Sequence, residues 1–149
     1  MLNTPQSIAL EHRELHETLE KASHAKGTLG SAARELHEAL APHFHREEAI
    51  ATPPLALLLP LAGGQPTAAM RSVLPLTEAL ERELPQMLRE HEVIRAAVKN
   101  LREAADTAGR KDFVEFADKL SAHARQEEEI LYPAAVLVGR YVALAAPKA

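Results

Sequence analysis

A histidine followed four residues later by a pair of glutamates occurs twice in this chain, as His43-x-x-x-Glu47-Glu48 and His123-x-x-x-Glu127-Glu128. On a helix that spacing puts both side chains on one face, with Cβ atoms about 5–6 Å apart, which suits two ligands of one metal site. A lone histidine precedes each pair: His12 stands 31 residues before His43, and His91 stands 32 before His123. Each lone histidine follows a glutamate, Glu11 or Glu90, and each paired glutamate is followed by another, Glu48 or Glu128. The two halves repeat at an offset of 79 (Glu11-His12 to Glu90-His91) and 80 (His43 to His123). Two copies of a helix pair would generate a pseudo-symmetric site.

Apolar residues recur at alternating steps of three and four, the period of an amphipathic helix. Ile8, His12, Leu15, Leu19 and Ala22 form the first such seam. Leu29, Ala33, Leu36, Leu40, His43, Glu47 and Ile50 form the second. The third runs through Leu80, Leu84, Met87, His91, Ile94, Val98, Leu101 and Ala105. The fourth runs through Phe113, Phe116, Leu120, His123, Glu127, Ile130, Ala134, Leu137 and Tyr141. The pattern predicts helices over roughly 5–26, 29–52, 76–107 and 111–144 of a single domain spanning 1–149. Thr4-Pro5 has the form of a helix start and Ser31 that of a second cap. Thr52-Pro53-Pro54 stops helix two, Gly109 ends helix three, and Pro42, Pro85 and Pro133 are expected to kink or split their helices. Leu55 to Pro75 reads as a long crossover with a helical turn near 68–72, packed over one end. Short outer connections and one long middle connection specify an all-α, up-down four-helix bundle.

His12, His43, Glu47, His91, His123 and Glu127 all fall on the apolar seams. Burying one unpaired polar group costs on the order of a few kcal/mol, and an ionised carboxylate costs more. Six such groups at one level would consume a net stability of roughly 5–15 kcal/mol, and a bound cation offsets them collectively. The alternative is a hydrogen-bonded network among the six. Imidazole with carboxylate suits iron, manganese or zinc rather than calcium or magnesium. Six ligands exceed a closed tetrahedral zinc site and fit two metals bridged by Glu47 and Glu127. Each metal would then take two histidines and one oxygen from each carboxylate. The Glu-x-x-His spacing of ferritin-like di-iron bundles is absent.

Composition narrows the function classes. The chain has no cysteine, which removes disulfides, thiolate zinc sites, iron–sulfur clusters and thiol nucleophiles. Net charge is −4, so nothing electrostatic favours nucleic acid or an anionic membrane as partner. The N-terminus lacks a basic and apolar leader, and the apolar run Leu55 to Ala62 is too short to span a bilayer. The expectation is a cytoplasmic protein.

A lone histidine, His-x-x-x-Glu-Glu followed by proline, a Glu-His pair, and His-x-x-x-Glu-Glu-x-Ile-Leu-Tyr-Pro together resemble the hemerythrin-like family, the His-His-Glu cation-binding domain. The resemblance spans roughly Ile8 to Pro133. It implies two iron ions with a bridging oxide or hydroxide, with zinc or manganese as substitutes. It implies His12, His43, Glu47, His91, His123 and Glu127 as ligands, and binding, sensing or reaction with oxygen, nitric oxide or peroxide. Oxygen carriers of that family have a fifth histidine and a final aspartate. This chain has Glu127 and no later histidine, which counts against reversible oxygen carriage. The absence of cysteine counts against the iron–sulfur repair role of relatives. Metal storage without turnover, or a zinc-stabilised interaction module, are the competing readings.

The neighbours carry weaker expectations. His16, one turn after His12, reads as a rim residue rather than a fifth ligand; its counterpart is Arg95. Glu11, Glu48, Glu90 and Glu128 read as solvated, with orientation of an imidazole as the alternative. Tyr132 reads as a packed helix-end tyrosine, with donation into the site as the alternative. His24, His37 and His45 lie off the seams and are expected at the surface.

Overall fold

The computed structural model describes residues 2–148. Its helices are α1 (Gln6–Ser23), α2 (Gly27–Arg46), α3 (Leu58–Gly63), α4 (Leu74–Thr107), α5 (Lys111–Gln126) and α6 (Tyr132–Ala145). Two π-helical turns, Glu47–Ala51 and Glu127–Leu131, continue α2 and join α5 to α6. The crossover carries 3₁₀ turns at Pro53–Leu57 and Ala68–Val73, with α3 between them. No strand occurs among the described residues, and none of their helices is long and apolar enough to cross a membrane.

Four rods thus form the expected bundle: α1, α2 with its π turn, α4, and the α5–π–α6 run. α4 packs against α2, α5 and α6, and α1 packs against α2 and α5. Pro85 neither splits nor ends α4, which runs through it for 34 residues, and α2 likewise continues past Pro42. Helix one stops at Ser23, short of the expected 26, and α2 starts at Gly27, two residues before the expected 29, which leaves the expected cap Ser31 inside the helix. Gly27 holds φ +71°, a left-handed conformation that costs other residues dearly. Gly109, at φ +70°, closes α4: its N–H donates to Asp106 O, and Arg110 N–H reaches back to Ala105 O at 2.9 Å. Thr4 does not cap α1; its hydroxyl pairs with that of Thr52 at 2.7 Å.

The π turns correct the sequence reading. Ile130, Leu137 and Tyr141, placed on the fourth seam, are exposed, and Ala134 is only half-buried. Tyr132, Ala135, Val138 and Val142 are buried instead. The second seam shifts the same way, from Ile50 to Ala51. In a π turn the backbone bond spans five residues, so one extra residue fits into the turn and everything after it rotates. Thr52 N–H accordingly donates to Glu47 O at 3.0 Å, and Tyr132 N–H donates to Glu127 O. The cause is written in the sequence: a proline stands six residues after each glutamate, Pro53 and Pro133. Proline lacks the donor and crowds the carbonyl four residues back, and widening the turn relieves both problems.

The core has three apolar clusters, one of them made of Leu57, Val73, Val138, Val142 and Ala146, and a polar layer lies between the other two. One level gathers Leu15, Leu19, Leu36, Leu40, Ile94, Leu101, Phe116 and Leu120. The other gathers Ala51, Leu55, Leu80, Met87, Tyr132 and Ala135. The six seam residues that carry nitrogen or carboxylate lie between them.

Candidate metal centre

His12, His43, Glu47, His91, His123 and Glu127 are all buried, none more than 3% exposed. They come from all four rods and converge as the repeat predicts. His43 Nε2 lies 2.8 Å from His91 Nε2, and His12 Nε2 lies 3.2 Å from His123 Nε2. The histidines thus form two pairs, α2 with α4 and α1 with α5.

The two carboxylates lie across both pairs. Glu47 sets Oε1 at 3.1 Å from His43 Nε2 and Oε2 at 3.7 Å from His12 Nε2. Glu127 sets Oε2 at 3.2 Å from His91 Nε2, and Oε1 at 2.6 Å from His123 Nε2 and 3.5 Å from His12 Nε2. Each carboxylate offers one oxygen to each histidine pair.

A second set of carboxylates points every imidazole inward. His43 Nδ1 contacts Glu90 at 2.8 Å, and His91 Nδ1 contacts Glu128 at 2.8 Å. His12 Nδ1 lies 3.5 Å from Glu48, and His123 Nδ1 lies 3.1 Å from Glu11 without good hydrogen-bond alignment. Each histidine therefore answers to a glutamate on another helix, and the four links close a circuit around the bundle. A carboxylate on one ring nitrogen fixes the tautomer and turns the other nitrogen toward a ligand position. For Glu90 and Glu128 the solvated reading gives way to the alternative, whereas Glu48 is exposed as expected and Glu11 faces its imidazole without a hydrogen bond. Glu90 and Glu128 are in turn held by Arg46 and Arg95.

Tyr132 also departs from its expected place. Its hydroxyl donates to Glu47 Oε1 and lies 3.3 Å from His43 Nε2, 3.2 Å from His91 Nε2 and 3.5 Å from Glu127 Oε2. The π turn before it rotates the ring into the layer. His16 stays at the rim: half-buried, it meets Phe44 edge-on at 4.9 Å and belongs to neither ligand cluster. His24, His37 and His45 are exposed, as expected.

The electrostatics follow from burial against pairing. Desolvation opposes charge on His123, but the facing Glu127 and Glu11 carboxylates outweigh it and push the imidazole up to about 9. His12 and His43 rise for the same reason, against desolvation, through Glu127 and Glu47 respectively. Glu127 is desolvated too, yet the imidazoles of His12, His123 and His91 hold it well below the ordinary carboxylate range. Glu47 goes the other way, raised by burial and by the charge on Glu127. Burial beside two carboxylates also raises the Tyr132 phenol.

Two carboxylate oxygens, Glu47 Oε2 and Glu127 Oε1, are buried with no hydrogen-bond partner. An orphaned buried acceptor costs about 1–3 kcal/mol, and more when charged. A self-satisfied hydrogen-bond network does not leave such atoms, whereas a cation supplies what they lack. Two clusters have ligand atoms within 4.8 Å of one another: His43, Glu47, His91 and Glu127, and His12, His123 and Glu127. The donor chemistry, imidazole nitrogen with carboxylate oxygen, fits transition metals.

Neither the search of curated proteins nor that of solved structures returned a match. A family model, the hemerythrin HHE cation-binding domain, matches residues 5–135, which reaches into all four rods and includes all six buried ligand candidates. With most of its length matched, this chain belongs to the hemerythrin HHE cation-binding family.

Proposed function

We propose that the protein is a non-haem di-iron protein that binds, senses or reacts with a small ligand such as oxygen, nitric oxide or peroxide. One observation carries the reading: Glu47 and Glu127 each offer one oxygen to each histidine pair, as two bridging carboxylates must. His43 and His91 would hold one ion and His12 and His123 the other. Two irons held by these residues would supply the electron changes that such ligands require. The chain's own part is positional. Glu11, Glu48, Glu90 and Glu128 aim the imidazoles, and the apolar levels on both sides limit water. Tyr132 holds a hydroxyl proton at Glu47 Oε1, within the layer.

Elemental analysis with an absorption spectrum, on protein produced with iron in the medium, tests this. The expected result is two irons per chain with bands of a bridged ferric pair, bleached by reductant. Both are lost in His43→Ala and in Glu127→Ala. Zinc alone, or no metal under iron-replete conditions without chelator, sinks the redox reading.

A further inference from the structure

The internal repeat allows the two halves of the centre to be compared position by position, and they differ. Around His43 and His91, the supporting Glu90 and Glu128 are each clamped by an arginine, and Arg46 also reaches Glu83 at 3.2 Å. At the repeat offsets the counterparts of Arg46 and Arg95 are Gln126 and His16. Glu11 and Glu48, which face His123 and His12, therefore lack that clamp. Their contacts are looser, 3.1 Å and 3.5 Å against 2.8 Å for both links in the other half. The Glu48 side chain is 51% exposed, against 24% for its counterpart Glu128.

The covers differ too. Tyr132 closes over His43 and His91; its counterpart is Thr52, whose hydroxyl is engaged with Thr4. On the other side Phe44 stacks on the His12 ring at 4.4 Å, covering one face. A surface recess of about 350 Å³, lined by Thr4, His16 and Glu48, nevertheless reaches His12.

Release of a bound ion requires its ligands to swing away one by one while water comes in. Both steps are easier where the supporting carboxylates are exposed and unclamped. We infer that the two metal positions are kinetically unequal: the His12–His123 half exchanges its ion first, through the recess at Thr4, His16 and Glu48, while the His43–His91 half retains its ion. The inference rests on the two-metal reading above. Arg46, Arg95 and Tyr132 act in it as positioning residues. Outer partners of this kind typically change metal affinity 10–100-fold.

The test loads the protein with two equivalents of zinc and follows release into excess chelator. Two phases of one ion each are expected, with rates at least tenfold apart. His12→Gln abolishes the fast phase and keeps the slow one. Arg46→Gln combined with Arg95→Gln, at sites near the surface, speeds the slow phase about tenfold or more and leaves the fast phase unchanged. One common phase for both ions, a fast phase that survives His12→Gln, or arginine variants that speed both phases alike would each overturn the inference while leaving two bound ions intact. Failure to bind any zinc overturns the two-metal reading itself, and this inference with it.

Discussion

The Tyr132 hydroxyl donates to Glu47 Oε1, so a side chain from the second half of the repeat holds the buried carboxylate of the first. In the metal-free protein this is the donor that keeps Glu47 Oε1 satisfied while Oε2 has none. Tyr132→Phe removes it without changing the ring's shape. The variant should lose about 1–3 kcal/mol of stability in chelator, read from urea unfolding. Added metal should narrow the difference, because the ion then supplies the missing partner. Equal stability of variant and parent without metal would show that the bond carries no weight.

The circuit of supporting glutamates should matter for binding more than for folding. Glu128→Ala frees the His91 Nδ1 proton and releases Arg95 at a partly exposed position. Metal affinity, measured by competition with a chromophoric chelator, should fall about 10–100-fold. The helical circular dichroism should not change. Retained affinity would mean the imidazole is aimed by packing alone.

Stability of the metal-free protein should depend on pH on both flanks. His123 titrates near 9 in the fold, above its ordinary 6.5. Its stabilisation is therefore complete below pH 6.5 and lost as pH rises through about 9. His12 and His43, raised as well, add to that loss. Glu127 is depressed, so its contribution is present above 4.5 and lost as pH falls through its folded value. Glu47, raised, offsets part of the Glu127 gain once the pH climbs past 4.5. Melting temperature in chelator should thus fall from pH 6.5 to 9.5 and again well below 4.5. A flat profile from 6.5 to 9.5 would contradict charged imidazoles in the empty layer.

At Gly139, α6 lies against the Thr77 side chain of α4. A methyl group there would overlap the buried Thr77 side chain, whose hydroxyl bonds Leu74 O at 3.2 Å. Gly139→Ala must push the helices apart and should cost about 1–3 kcal/mol. Thermal unfolding should show a drop of several degrees, with metal stoichiometry unchanged. A melting point equal to the parent's would mean that the helices move apart freely.

The bundle and the convergence of six ligand candidates were legible in the sequence because seam and cassette share one period. Leu36, Leu40 and His43 lie a turn apart, so a residue in phase with leucines must be buried with them. The phase failed after Glu47 and Glu127, since a fixed helical period cannot register an extra residue within one turn. Pro53 and Pro133 were the available signal, six residues on in both halves. Tyr132 was misplaced for that reason alone. Glu90 and Glu128 were misread for another. Their partners sit on different helices, and which glutamate meets which imidazole depends on how the rods are rotated about their axes.

The π turns also divide the chain's obligations. Suppose one residue were excised from Glu127–Leu131. A regular helix leaving Glu127 would then still bring Ala135, Val138 and Val142 to the core side, because the excision cancels the rotation that the extra residue introduced. The facing of the core is therefore indifferent to that residue, and the same holds for its counterpart in Glu47–Ala51, although the proline after each turn is not. Tyr132, then four residues after Glu127, would stay on that face as well, and what the excision would undo is the wide turn itself, in which the bond from Tyr132 N–H to Glu127 O spans five residues. Two residues, one in each half, thus widen the turns that precede Pro53 and Pro133 without changing which side chains of the following helix face the core.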